Sequence, residues 1–255
     1  TGASNTALGR SSLAANTTAS NNTAVGYHSL LANTTGSDNV AVGQQAGKAI
    51  TTGNTNIAIG GLAMSTNVVG DRNVAIGYSA LETYNPSSNE DSYNVAIGFA
   101  ALEADTTGKN NTAVGGNSLL LNTTGGNNTA VGTGSLTFNQ TANNNTGVGY
   151  LALNANTTAG DNTAVGALSL DANTTGDQLT AVGFSALSSN TTGDHNTAVG
   201  EGALGANTTA SNNTAVGKSA LIANTTGTRN CAFGFGAADA NTTALDVAAF
   251  GHNAL

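Results

Sequence analysis

Residues 22–43 read NTAVGYHSLLANTTGSDNVAVG, and the end of the stretch restates its beginning: Asn22-Thr23-Ala24-Val25-Gly26 returns as Asn39-Val40-Ala41-Val42-Gly43. Outward from there, the phrase starts at positions 5, 22, 39, 56, 73, 94, 111, 128, 145, 162, 179, 196, 213, 230 and 247. Every step is 17 residues except 73 to 94, which is 21. Residues 1–255 are therefore a single repeat array of fifteen copies, with one four-residue insertion within 82–93. The array starts and stops part-way through a unit and shows no cap of the kind solenoids use to stay soluble, so the chain is expected to be a fragment of a longer fibre.

Much Asn, Thr and Gly could signal disorder. The phase of the repeat argues otherwise. Gly closes the phrase in all fifteen copies, from Gly9 to Gly251, and the residue before it is always Val, Ile, Leu or Phe. Leu stands four residues after that Gly in twelve of the fifteen, with Gly47, Met64 and Ala238 the exceptions. A disordered tract has no reason to keep such spacing, so the chain is folded.

Seventeen residues are too few for two packed helices and a turn, and Asn, Thr, Gly and β-branched residues are poor helix formers. They suit short strands joined by tight turns. Each unit therefore reads as one rung of an all-β parallel β-solenoid. A strand is centred on Thr23-Ala24-Val25 and a second is expected near Ser29-Leu30-Leu31-Ala32. Corners fall at Gly26, Gly43 and Gly77, where Gly permits positive φ, and at Asn33 and Asn173, where Asn tolerates it and bonds locally. Stacked rungs place Asn over Asn, so each corner Asn is expected to bond its neighbour's backbone. Fifteen rungs at about 4.8 Å would stack to roughly 70 Å. Each rung is expected to bury a Leu and a Val, worth roughly 1.5–3 kcal/mol apiece.

Alternate strand residues face opposite sides. Thr23 and Val25 share one face, and the site between them is Ala in fourteen copies and Gly147 in the other. A solvent-facing site would drift among Ser, Lys, Glu and Thr, so something packs closely on this row: the far side of a thin coil or another chain. With the Val face inside, Ala24, Ala41, Ala58 and Ala75 become a small-residue seam for a partner, and the expectation is an oligomer of parallel coils.

Asn73-Val74-Ala75-Ile76-Gly77 and Asn94-Val95-Ala96-Ile97-Gly98 closely resemble the head repeats of trimeric autotransporter adhesins. The longer phrase N-T-A-V-G-Y-x-A-L-x-x-N-T-T-G resembles repeat arrays of phage tail fibres and related bacterial surface proteins. The resemblance covers essentially the whole chain. It implies a left-handed parallel β-roll, three chains to a head, carried outside the cell on a bacterial surface or a phage virion. The 17-residue unit and the Asn-Thr-Thr corner depart from the adhesin pattern.

Composition narrows the chemistry. A net charge of -8 argues against nucleic acid, whose partners carry a basic stripe. The single Cys231 excludes a disulfide framework and is expected to be a small buried group. No apolar run is long enough to span a membrane, so no insertion by this segment is expected. His28, His195 and His252 sit at different phases of the repeat and cannot form a metal row. Asp38, Asp71, Asp161, Asp177 and Asp194 flank a corner, but no G-G-x-G-x-D calcium repeat is present. Asn-x-Thr matches at Asn33-Thr34-Thr35 are explained by a corner ladder without sugar. No arrangement suggests an enzyme, and no cofactor is expected.

The insertion holds the only Pro and several acids. Tyr84, Glu90, Asp91 and Tyr93 make it a candidate binding loop, against the plainer reading of a tolerated surface loop. The functional expectation is a structural and adhesive extracellular fibre segment, a homotrimer that spaces or presents a binding tip and binds a host-surface glycan or protein. Two alternatives stand beside it: an ice-binding solenoid using the corner Thr row from Thr17 and Thr34 onward, and a self-assembling extracellular filament.

Overall fold

The computed structural model describes residues 2–255. They form two compact units, Thr1–Asn127 and Asn128–Leu255. Both are parallel β-solenoids, and no helix occurs among the described residues. In the first unit each rung contributes one three-residue strand: β1 (Thr6–Leu8), β2 (Thr23–Val25), β3 (Val40–Val42), β4 (Ile57–Ile59), β5 (Val74–Ile76), β6 (Val95–Ile97) and β7 (Thr112–Val114). The second unit continues the pattern with β8 (Thr129–Val131), β9 (Thr146–Val148), β10 (Thr163–Val165), β11 (Thr180–Val182), β12 (Thr197–Val199), β13 (Thr214–Val216), β14 (Cys231–Phe233) and β15 (Ala248–Phe250). Within each unit successive strands pair in parallel, each residue against its equivalent one rung on, as Ala24 against Ala41 and Ala164 against Ala181. Even the 21-residue rung keeps this register, with Ala75 against Ala96.

The strand ends at the invariant Gly because that backbone turns left-handed: φ is 132° at Gly26, 135° at Gly43 and 139° at Gly77. A Cβ on Gly26 would also lie 2.5 Å from the Gly43 carbonyl oxygen. Both facts demand Gly.

The expected second strand does not form. Residues 27–32 make consecutive turns, with φ of 58° at His28 and 46° at Leu30. Alternating left-handed residues curl the chain, and the backbone bonds its neighbours anyway: Leu30 N–H donates to Ala46 O at 3.1 Å, and His28 N–H to Arg10 O at 3.1 Å. Leu in this region costs roughly 1–2 kcal/mol. Full burial of its side chain returns roughly 1.5–3 kcal/mol, so burial wins. Leu30, Leu81, Leu119, Leu170 and Leu204 are all completely buried.

The strand faces are the reverse of the expected arrangement. Ala24, Ala41, Ala58 and Ala75 are interior, 0–1% exposed within a single chain, so they are core and not a seam for a partner. Thr and Val on either side point outward and are half-buried. The coil is so thin that only Ala fits between the strand and the turns facing it. Gly147, the one exception, shows the limit: a Cβ there would lie 2.6 Å from Ser135 Oγ. Cys231, in an outward Thr position, is likewise only half-buried.

Two columns of buried Asn complete the interior. In the first, Asn39 Oδ1 accepts from Asn56 N–H at 2.9 Å, while Asn39 Nδ2 donates to Gly53 O at 2.8 Å. In the second, Asn173 Nδ2 donates to Gly176 O at 2.9 Å and to Asn156 Oδ1 at 3.3 Å. The expected bond from a corner Asn to its neighbour's backbone is thus made by the first column, whereas the backbone bonds of Asn33 and Asn173 in the second stay within their own rung. A buried amide is tolerable only when so paired.

Candidate functional surface

With Ala inside, the outward strand residues become the repeated surface. Seven strands in the first unit and eight in the second each present two of them. The inner member of the pair is Thr, Val, Ile, Cys or Ala, and the outer is Val, Ile, Leu or Phe. None is charged, in a chain whose formal charge is -8. In β8 to β13 the pair is the same six times, from Thr129 and Val131 to Thr214 and Val216.

A third column flanks this strip, just past the corner Gly. Six of its positions are aromatic, Tyr27, Tyr78, Phe99, Tyr150, Phe184 and Phe235, exposed by 38–61%, and the others include Arg10, Gln44, Glu201 and Lys218. In-register stacking brings neighbours together: Tyr78 and Phe99 ring centroids are 5.9 Å apart, and Phe235 stacks on His252 at 5.1 Å. The signal was present in the sequence as an aromatic residue directly after Gly in Gly26-Tyr27, Gly77-Tyr78, Gly98-Phe99 and Gly149-Tyr150, but it does not stand out until the strand faces are known.

The hydroxyls of the corner Thr row take part in the coil's own hydrogen bonding. Thr34 Oγ1 donates to Thr51 O at 3.2 Å and Thr174 Oγ1 to Thr191 O at 3.0 Å, so these hydroxyls join rungs. Asn33 is buried with its amide engaged, which leaves its Asn-Thr-Thr match closed to sugar. The corner aspartates also accept bonds from neighbouring rungs: Asn54 N–H to Asp71 Oδ1 at 2.6 Å, and Asp177 N–H to Asp194 Oδ1 at 2.9 Å. Among the described residues no group of three His, Cys, Asp or Glu is placed to hold a metal.

The insertion divides its expected site residues. Tyr84 is fully buried, at the second-column position where most rungs carry Asn, so it belongs to the core and not to a binding loop. Burial pushes its phenol up to about 12, partly offset by Ser92, which lies near without making a well-formed hydrogen bond. The others are outside and tied together. Asp91 pairs with Arg72 and accepts from Tyr93 Oη at 3.0 Å, and Glu90 pairs with Lys109 at 2.7 Å.

No family model, curated protein or solved structure matches the chain. Its reading rests on its own geometry. That geometry offers an uncharged repeated strip, exposed aromatic residues at intervals beside it, and no pocket among the described residues.

Proposed function

We propose that the chain is a segment of an extracellular fibre, a bacterial surface adhesin or phage tail fibre, whose copies associate side by side, three together, through the uncharged strip. The observation that carries this reading is the strip itself. A repeated uncharged strip of Val, Ile and Phe beside Thr is suited to an interaction site, and copies of an acidic chain meet with least repulsion where neither presents charge. Parallel association also keeps every rung equivalent, so the same contacts repeat along the length. Host-surface glycans or proteins are the proposed external partners, met along the fibre or at a tip it presents.

Light scattering on a sizing column tests this. The wild-type chain is expected at three chain masses, and Val165→Lys with Val182→Lys at one, with an unchanged circular dichroism spectrum. A wild-type monomer would contradict the association. A second reading then gains weight, because six successive Thr–Val pairs make a regular flat array suited to ordering water as ice. Thermal hysteresis by the monomer would support it, and no hysteresis would dismiss it.

A further inference from the structure

The second Asn column changes character in the middle of the first unit. Its members there are Asn16, Asn33, Ile50, Asn67, Tyr84, Asp105 and Asn122. Asp105 is fully buried and folds like the Asn it replaces: its Oδ1 accepts from Gly108 N–H at 2.9 Å, as Asn67 Oδ1 accepts from Gly70 N–H at 2.8 Å. The other oxygen differs. Where Asn67 Nδ2 donates to Gly70 O at 3.0 Å, Asp105 presents Oδ2, buried and without a partner. An ionised carboxylate has no proton for the carbonyl that this position normally serves. A protonated one does.

The same rung anchors the insertion. Thr83 N–H donates to Glu103 O at 3.1 Å, Thr83 Oγ1 to Asp105 O at 3.1 Å, and Asn85 N–H to Thr106 O at 3.0 Å. We propose that Asp105 is a proton-controlled latch: protonated, it completes the inner column and holds the root of the 82–93 insertion, and ionised, it releases it.

The groups facing Asp105 favour the neutral form. Burial pushes its carboxyl up to about 7, against smaller opposing effects of the Gly108 N–H, Asn122 and the Thr106 N–H. The rung before it supplies the Tyr84 phenol, which has Ser92 near it, and the rung after supplies the Asn122 amide, at 3.3 Å from Oδ1. Among the described residues no cation reaches it. Lys109 is taken by Glu90 and Arg72 by Asp91, while Glu103 beside Glu82 is itself pushed up, chiefly by burial.

Limited proteolysis with chymotrypsin, which can cut at Tyr84 and Tyr93, reads the latch directly. Cleavage of the wild-type chain within 82–93, divided by that of Asp105→Asn at the same pH, is expected to rise about tenfold between pH 6 and pH 8. A ratio independent of pH would overturn the proposal. If Asp105→Asn does not fold, carbon-13 titration of the Asp105 carboxyl in the wild-type chain decides instead. A midpoint near neutrality, moving together with amide signals of 83–93, supports the latch. An ordinary carboxylate midpoint, or titration without movement of those amides, overturns it.

Discussion

The second Asn column runs unbroken through the second unit and is interrupted in the first. From Asn156, which donates to Asn139, through Asn173, Asn190, Asn207 and Asn224 to Asn241, each Nδ2 donates to the Oδ1 one rung back, at 2.9–3.3 Å. In the first unit Ile50 stands where the next donor belongs, and Asn33 Oδ1 is left buried without a partner. Asn16, Tyr84 and Asp105 add three more unpartnered buried oxygens to this column. The strand ladders are alike in both units. The difference teaches that the β-register can be kept by short strands, corner glycines and the first Asn column, while the second amide column adds a separate layer of stability that one region has given up.

Substitutions can break or sharpen this contrast. The largest effect should ignore it, because the corner is common to both units: Gly77→Ala and Gly183→Ala each force a Cβ into the next rung's backbone at positive φ. Both should cost more than about 4 kcal/mol and yield insoluble protein, seen by expression and circular dichroism. A tolerated variant in either unit would show that the corners are not equivalent.

Next comes the column. Asn190→Ala removes bonds to Asn173 and Gly193 and strands the Asn207 amide. Urea denaturation should show a loss of roughly 3–4 kcal/mol. Asn67 bonds Gly70 and the Met64 sulfur within its own rung and has no amide neighbour in the column, so Asn67→Ala should cost only about 2 kcal/mol. Equal losses would mean that the ladder bonds contribute nothing beyond local capping.

Asp105→Asn repairs one interruption. With the folded carboxyl raised from 3.8 to about 7, the folded state holds the proton more tightly than the unfolded chain. The stability this group lends is therefore full below about pH 4 and is lost as pH rises through about 7. Asp105→Asn should match the wild type near pH 4 and exceed it by roughly 2 kcal/mol at pH 8, allowing for relaxation around the charge. The smallest effect belongs to the surface. Arg229→Gln breaks a fully exposed pair with Asp246, and its denaturation midpoint should not move measurably.

Much of this architecture was legible in the period. The invariant Gly marks the corner, and the 17-residue spacing sets one rung per copy, although the second strand expected in each rung is a run of turns. Alternation also separated Ala24 from Thr23 and Val25, but it cannot say which face is inside. Hydrophobicity pointed to Val. Volume decided for Ala, because a coil this thin has no room for a branched side chain between the strand and the turns. Leu30 in a left-handed turn was hidden because Leu on its own avoids that conformation, and only burial reverses the preference. Tyr84 looked like a loop residue because it sits beside Pro86 and a run of polar residues, yet its place in the repeat is an interior one. The exposed aromatic residues were visible as Gly-Tyr and Gly-Phe pairs but had no meaning until Val was known to face outward.

Amide hydrogen exchange, resolved by rung, tests the central claim most directly: that inner amide columns, not the strands alone, hold the coil. Amides of 139–241 should exchange slowest and as one cooperative group, with those of 84–105 exchanging faster and separately. Uniform protection across both regions, or faster exchange in 139–241, would contradict the account.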